Sequence, residues 1–315
     1  DIAESVMKKI CIRISCLFFL ICAVITVIYV LFVPPRPGVA DQGDFQRVMD
    51  VTGLTEKEIP EEERDSLFYK YLKTEYVMSP VNLLRFFAII PTTSMVYPIT
   101  AAKIICMFAG SRFFSTEVLA FVYSAMYITA LTLCIKWLAP GNEPLTMLAA
   151  VISLPVLLDG NYLVWFNSLY GEPMMIIGLM LFAASVLNIS NKPGSIGNAD
   201  LIFVVMSALL FLGSKAQCIT ALPFVLIMIA RIFSLKYKTH RKILLRNVCI
   251  VAAITVFYTL GFYIQINSTC GIDTKYNSVF YGILKDSETP EKDLEMLGLN
   301  RDMAVEAGKH AYLPA

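Results

Sequence analysis

Long apolar runs separated by short polar segments dominate the chain. A helix needs about 20 apolar residues to cross a bilayer, and residues 14–33 meet this length before a proline-rich segment ends the run. Six later runs are further candidates, and some of them are short, so their spans must include flanking residues; these runs are 116–138, 145–158, 174–189, 201–213, 219–233 and 248–266. The pattern predicts an all-α polytopic membrane protein with seven transmembrane helices.

Length determines where the chain must turn back. Residues 201–233 as a single helix would reach about 50 Å, against a hydrocarbon core of about 30 Å. The only polar place for a turn is Gly213-Ser214-Lys215-Ala216-Gln217. The same reasoning predicts a turn at 159–173.

Basic residues predict the orientation, because short cytoplasmic loops carry excess Lys and Arg. Two clusters should be cytoplasmic: Lys8, Lys9 and Arg13 before the first span, and Lys236, Lys238, Arg241, Lys242 and Arg246 before the last. This requires an even number of spans between them. We therefore interpret residues 95–110 as a helix on the outer interface, with Lys103 snorkelling towards water.

The N-terminus is then inside, and the outer face receives a long first loop (34–115), the turns 159–173 and 214–217, and the tail from 267. We expect residues 1–266 to form the transmembrane module and 267–315 to begin an extracytoplasmic helical segment that continues beyond this sequence. Capping residues predict two helices in that tail, one from Thr289-Pro290 to Gly298 and one from Asn300 to Gly308.

Composition excludes several classes of protein. Apolar residues are 57% and charged residues 16% of the 315 residues, and the mean hydropathy is +0.65. Average soluble domains carry about 25% charged residues, so a disordered chain or an ordinary soluble enzyme is excluded. A net charge of +1 gives no sign of nucleic-acid binding. With only His240 and His310, no histidine-based metal site or triad is expected.

The first outer loop begins with two carboxylates in Asp41-Gln42-Gly43-Asp44-Phe45-Gln46-Arg47. Gly43 allows a sharp backbone turn between them. Further along, Thr55 and Glu58 resemble a capping box, and residues 61–65 are typical of a solvated helix face.

The other outer segments add further polar side chains. Glu172 precedes Pro173 at the start of a span, where the helix dipole stabilises a carboxylate. The same turn contains Asn167 and Tyr170, and the next turn contains Lys215 and Gln217. A lysine between apolar helices is costly unless it faces water, a phosphate or a carboxylate. Tyr276 lies just outside the last span.

Acids at the outer membrane surface suit a lipid-borne substrate such as a polyprenyl-phosphate sugar. Its phosphate is a good leaving group, so the reaction needs a base for the acceptor hydroxyl and cations for the departing phosphate. Asp44 suits the base, and Arg47 and Lys215 suit the phosphate. Attack from the face opposite the leaving group predicts inversion at the anomeric carbon.

The order of these segments resembles the GT-C superfamily of membrane glycosyltransferases. Residues 41–49, 167–173, 214–217 and 276–282 are similar to bacterial hexosyltransferases of surface-layer glycan biosynthesis, and the resemblance covers nearly the whole chain. It implies a polyprenyl-phosphate-sugar donor and a catalytic acid at Asp44, with Asp41 as the alternative. The second-loop acid of the superfamily would be Glu172, and Asn167, Tyr170, Gln217 and Tyr276 are expected to contact substrate.

The resemblance leaves metal dependence open: a divalent cation, Mg or Mn, would be held by Asp44 and Glu172. The acceptor is a glycan, a lipid or a protein, and we expect a bacterial plasma membrane. Two other functions stay open: a lipid-linked glycan flippase or transporter, and a polysaccharide polymerase or ligase that uses a diphosphate-linked donor. No P-loop is present, which disfavours an ATP-driven pump.

Overall fold

The computed structural model describes residues 2–41, 44–57, 72–192 and 194–311, with side chains described from Ile12 onward except at 268–271. The chain forms two compact units, Asp1–Phe262 and Tyr263–Ala315. Expectations for Gln42, Gly43 and the charged segment 58–71 lie outside the described residues.

Helices make up most of the first unit. The long ones are α1 (Ile2–Phe32), α5 (Thr116–Leu138), α6 (Glu143–Leu157), α8 (Glu172–Ser190), α9 (Asn198–Leu212) and α10 (Leu222–Lys236), while α11 (Arg241–Tyr276) begins in the first unit and continues into the second. Shorter ones are α2 (Phe45–Thr52), α3 (Leu83–Phe86), α4 (Val96–Phe108) and α7 (Gly160–Leu163), with 3-10 turns at Val164–Asn167 and Ala216–Ala221. A long helix lies in each of the seven runs that the sequence predicts as spans.

Five helices among the described residues are long and apolar enough to cross a membrane: Ile12–Phe32, Thr116–Leu138, Glu172–Ser190, Ala216–Lys236 and Arg241–Asn267. Glu143–Leu157 and Gly160–Asn167 form a sixth only when taken together across a bend of 61°. Helix α9 has 15 residues and is shorter than a typical span. The chain is thus a polytopic helical membrane protein, and the count of seven spans stays a prediction.

One end of the helical bundle, termed here the loop end, joins segments that the sequence assigns to the outer face. The Asn167 side chain donates from Nδ2 to the carbonyl of Pro37, just after α1, over 2.8 Å. The backbone N–H of Ser94 donates to the carbonyl of Gly213, just after α9, over 2.7 Å. The first loop and both later turns therefore meet at this end.

The opposite end joins the segments that the sequence assigns to the cytoplasm. The Asn191 side chain, just after α8, donates to the carbonyl of Trp137 near the end of α5 over 2.7 Å. Asn188 donates to the carboxylate of Asp200, in the first turn of α9, over 2.9 Å. Short as it is, α9 connects the same two ends as α8, which supports the prediction that it crosses the membrane.

Two features explain how the helices pack: apolar residues spaced four apart on one helix face, and a small residue at a close contact between two helices. Phe19, Ala23, Val27 and Leu31 form a fully buried stripe on α1, because residues four apart share one helix face. A Cβ on Gly178 of α8 would meet the backbone of Phe211 on α9 at 2.7 Å. Glycine therefore allows the close contact between these two helices, as is common in membranes.

The chain is mostly helical, as expected of an all-α membrane protein, but the first loop also contains a small sheet that the sequence did not predict. Strands β1 (Leu54–Glu56), β2 (Glu75–Met78) and β3 (Phe113–Ser115) pair antiparallel in the order β1-β2-β3. Thr55 lies in β1 opposite Val77, so it does not cap a helix. The sheet buries Tyr76 against Phe114, and such cross-strand aromatic pairs stabilise antiparallel strands.

The second unit confirms the two helices predicted for the tail. Helix α12 is Pro290–Met296, and a 3-10 turn follows at Arg301–Glu306. Gly298 and Gly308 have φ of +71° and +79°, the left-handed conformation that ends helices. Phe280, Leu284 and Leu294 form the small core of this unit.

Candidate functional site

Helix α2 carries the two acids of the first loop at its N-terminus, and Asp41 acts there as a cap. Its Oδ1 accepts the backbone N–H groups of Asp44 and Phe45 over 3.0 and 3.2 Å. Asp41 as a whole is only 8% exposed. These two bonds satisfy donors that the first turn of a helix leaves unpaired. Asp41 therefore has a structural task that is sufficient to explain its place.

Asp44 occupies the N-cap position of α2 but makes no side-chain cap bond. Its carboxylate pairs with Arg47, one turn along the helix, over 3.2 Å. The Asp44 side chain is 41% exposed and that of Arg47 is 19% exposed. Of the two acids, Asp44 is thus the one whose carboxylate faces the surroundings, with a cation beside it.

Two basic side chains hold the C-terminal end of α2. Lys103 of α4 donates from Nζ to the carbonyls of Thr52 over 3.0 Å and Gly53 over 3.1 Å, and also to that of Ser79. Arg85 of α3 donates to the carbonyl of Asp50 over 3.0 Å. Cations at this end of a helix complement the unpaired carbonyls and the dipole.

The expectation that Lys103 snorkels was wrong. Lys103 is only 5% exposed, and burial lowers the pKa of its ammonium group. The three carbonyls stabilise the charged form inside the protein, so no path to water is needed. The only sequence signal for this role was a single lysine in an apolar helix.

Tyr170 connects the first loop to the second turn. Its hydroxyl donates to the carbonyl of Ala40 over 3.2 Å, and its ring meets that of Phe45 edge to face at 4.8 Å between centroids. Trp165 also meets the Tyr170 ring edge to face, at 5.0 Å between centroids. Tyr170 is therefore a buried connector, and Asn167, bonded to Pro37, also serves structure in this arrangement.

Glu172 and Lys215 meet at the loop end of α8. Lys215 donates from Nζ to Glu172 Oε1. The Glu172 side chain is 24% exposed and the Lys215 side chain is 21% exposed. Glycine makes the approach possible, because a Cβ on Gly171 would lie 2.6 Å from the carbonyl oxygen of Ser214. The structure thus brings together a carboxylate and an ammonium group that are 43 residues apart in the sequence.

An apolar cavity of about 540 Å³ has Glu172 of this ion pair among its lining residues. Its lining residues are Asn161, Tyr162, Trp165, Glu172, Met175, Ile176, Leu179, Phe211, Gln217, Cys218, Thr220 and Ala221. Gln217 is exposed on the 3-10 turn that forms one wall. The apolar wall residues carry no sequence signal that separates them from ordinary lipid-facing positions, so the sequence did not predict the cavity.

Tyr276 lies in the second compact unit. Its hydroxyl donates to Glu306 Oε2 over 2.5 Å. This bond raises the pKa of Tyr276 and lowers that of Glu306. Within its own unit, Tyr276 thus has a structural partner.

The described residues do not form a typical divalent-cation site. Such an ion needs several oxygen ligands around it, whereas Asp44 and Glu172 each face a basic side chain. No three His, Cys, Asp or Glu side chains converge within the ranges that the structure describes.

A comparison with protein families gives one match, to the YfdI N-terminal transmembrane domain, over residues 3–315. The chain belongs to this family. The match covers all but the first two residues, and it identifies the chain as a membrane domain of a glycosyltransferase-like family. Neither the curated proteins nor the solved structures gave a match.

Proposed function

We propose that this YfdI-type domain is an inverting hexosyltransferase of GT-C type, acting on the outer face of the membrane. It would take a hexose from a polyprenyl-phosphate donor and pass it to a glycan, lipid or protein acceptor. One observation carries the proposal. Tyr170, in contact with Ala40 and Phe45, joins the Asp44 loop to the turn that ends at Glu172, the partner of Lys215, and Glu172 lines an apolar cavity.

Asp44 is our choice for the base. Asp41 is committed to two backbone N–H groups, whereas Asp44 is the more exposed acid. In the reaction, the acceptor oxygen attacks the anomeric carbon and its proton passes to the Asp44 carboxylate. The bond between that carbon and the phosphate oxygen breaks on the opposite face, and polyprenyl phosphate leaves with the electron pair.

Cations are required for the departing phosphate, and two are available at the loop end. Arg47 lies within 3.2 Å of Asp44, and Lys215 has two ammonium protons beyond the one given to Glu172. Positive charge at the leaving group stabilises the transition state. The match to a transmembrane domain and the several helices able to cross a membrane support an active site at a membrane surface.

The experiment is sugar transfer in membranes that hold the full-length protein, with a panel of radiolabelled polyprenyl-phosphate hexoses. We expect transfer by the wild type and loss in Asp44→Asn. Transfer by both would reassign the base to Glu172 or Asp41. A requirement for diphosphate-linked sugars would indicate the polymerase or ligase reaction. Movement of the lipid-linked sugar without transfer would indicate a flippase.

A further inference from the structure

Segments from three other parts of the chain hold the turn that carries Lys215. The first of them is the first loop, where the fully buried Ser94 donates from its backbone N–H to the carbonyl of Gly213 over 2.7 Å. The hydroxyl of Ser94 donates to the carbonyl of Leu210, in the last turn of α9, also over 2.7 Å. Carbonyls at this end of a helix lack partners within the helix. The first loop therefore fixes the point at which α9 ends and the turn begins.

Helices α11 and α8 supply the other two contacts. The hydroxyl of Tyr258 on α11 donates to the carbonyl of Thr92 in the first loop over 3.3 Å. A Cβ at Gly213 would overlap this hydroxyl, so only glycine fits at the start of the turn. On α8, a Cβ at Gly171 would lie 2.6 Å from the carbonyl oxygen of Ser214. Close contacts from two helices thus confine the turn.

Helix α4 connects this turn to the helix that carries Asp44. It begins two residues after Ser94, and the backbone N–H of Tyr97 in its first turn donates to the carbonyl of Ser94 over 3.3 Å. Further along the same helix, Lys103 donates to two carbonyls at the C-terminal end of α2. The 13 residues of α4 form one helix of about 20 Å. A single helix therefore separates the two segments that carry the proposed base and the proposed phosphate-binding cation.

We propose that Ser94 is a positioning residue for Lys215, and that α4 sets the distance of that lysine from Asp44. This inference rests on the proposed function, in which Asp44 takes the proton of the acceptor and Lys215 binds the departing phosphate. The two groups act on opposite faces of one anomeric carbon, so their separation must match the sugar that lies between them. Ser94 itself contacts the turn, and it acts on the reaction only through the ammonium group.

A double-mutant cycle of transfer rates tests this role, in membrane vesicles that hold the full-length protein and with the polyprenyl-phosphate hexose that the wild type uses. Ser94→Ala removes the hydroxyl bond to Leu210, and we expect transfer to fall about fivefold. In Lys215→Met protein, Ser94→Ala should cause no further loss, because both changes act through one ammonium group. A serine with a merely structural role would give two independent losses that multiply. Equal losses in both backgrounds would overturn the inference.

Two further variants make the cycle specific. Ser207 is a matched control, because it is 1% exposed and its hydroxyl donates to the carbonyl of Phe203 over 2.7 Å within α9. Ser207→Ala should leave transfer unchanged, and a loss equal to that of Ser94→Ala would overturn the inference. Tyr258→Phe removes the other hydroxyl that lies against the turn, and its effect should also depend on Lys215. This variant provides the test if Ser94→Ala does not fold.

The thiol of Cys218 reports on the turn without any sugar transfer. Cys218 is 5% exposed, and its Sγ lies 3.5 Å from the hydroxyl of Ser214. In a protein with Cys218 as its only cysteine, Ser94→Ala should speed alkylation by maleimide about threefold or more, since a loosened turn opens more often. Ser207→Ala should leave the alkylation rate unchanged.

The alkylation rate separates failure of the inference from failure of the proposed reaction. Faster alkylation in Ser94→Ala, without sugar transfer by the wild type, would reject the hexosyltransferase and leave Ser94 as the residue that holds this turn. Transfer that depends on Asp44, together with unchanged alkylation in folded Ser94→Ala, would reject the positioning role and leave the reaction.

Discussion

The hydroxyl of Tyr170 donates a hydrogen bond to the backbone carbonyl of Ala40 over 3.2 Å. Ala40 directly precedes the first acid of the outer loop, and Tyr170 lies two residues before Glu172. One side chain thus fixes two acidic segments that are 130 residues apart.

The two first-loop acids should respond differently to the same change. Asparagine keeps an oxygen that can accept backbone N–H groups, so Asp41→Asn should retain folding and most transfer. Asp44→Asn removes the proposed base and should reduce transfer by about 10²–10⁴-fold. Transfer rates and unfolding midpoints of both variants provide the measurement. Loss of transfer in Asp41→Asn with normal folding would make Asp41 the base.

Replacing Lys103 with Met should destabilise the protein. Three backbone carbonyls would lose a charged donor, and each such bond contributes about 1.5–3 kcal/mol. Lys57→Met is the matched control, because its pair with Glu75 is about half exposed and such pairs contribute about 1 kcal/mol or less. Thermal unfolding in detergent compares them. Equal midpoints would contradict a structural role for Lys103.

A methyl group at Gly171 should separate Glu172 from Lys215. The added Cβ would lie 2.6 Å from the carbonyl oxygen of Ser214, whereas a Cβ on Gly160, in the same turn, meets nothing within 4 Å. We expect Gly171→Ala to reduce transfer at least tenfold and Gly160→Ala to leave it unchanged. Similar activity in both variants would mean that the ion pair is not needed for transfer.

The Asp200 carboxylate should contribute stability that depends on pH. A hydrogen bond from Lys192, with further bonds from Gly197 and Asn188, lowers the pKa of Asp200. Because the folded pKa lies below the ordinary value of about 3.9, the contribution is present above that value and is lost as the pH falls through the folded pKa.

Asp200→Asn therefore tests this contribution directly. We expect it to lower stability by about 1–2 kcal/mol at pH 6, with the difference from wild type shrinking towards pH 3. Unfolding midpoints across this range measure the effect. A difference that does not change with pH would show that the charge of Asp200 is not responsible.

The orientation predicts which loops a membrane-impermeant thiol reagent can reach. In a variant without native cysteines, Asn161→Cys should react from outside and Lys238→Cys only after the membrane is opened. Asn161 is an exposed position of the loop end, so burial does not hinder its labelling. The reversed pattern would mean that residues 95–110 cross the membrane after all.

The membrane class, the place of each long helix and the two tail helices could all be predicted from local sequence. Those features depend on local properties: the length of an apolar run, a polar break such as Ser214–Gln217, and caps such as Gly298. The cost of unpaired backbone groups in lipid leaves few alternatives to a helix in such runs. Local sequence therefore carries enough information for these elements.

The roles of the polar residues in the outer segments depend on contacts that form only in the folded protein. Asp41 and Asp44 look alike in the sequence, yet one caps α2 and the other faces the surroundings. Lys103 is an ordinary snorkelling candidate until the carbonyls of α2 and the following turn meet it. The cavity at Glu172 exists because α8, α9 and a later turn converge there. Each of these roles depends on contacts between distant segments, which no local pattern records.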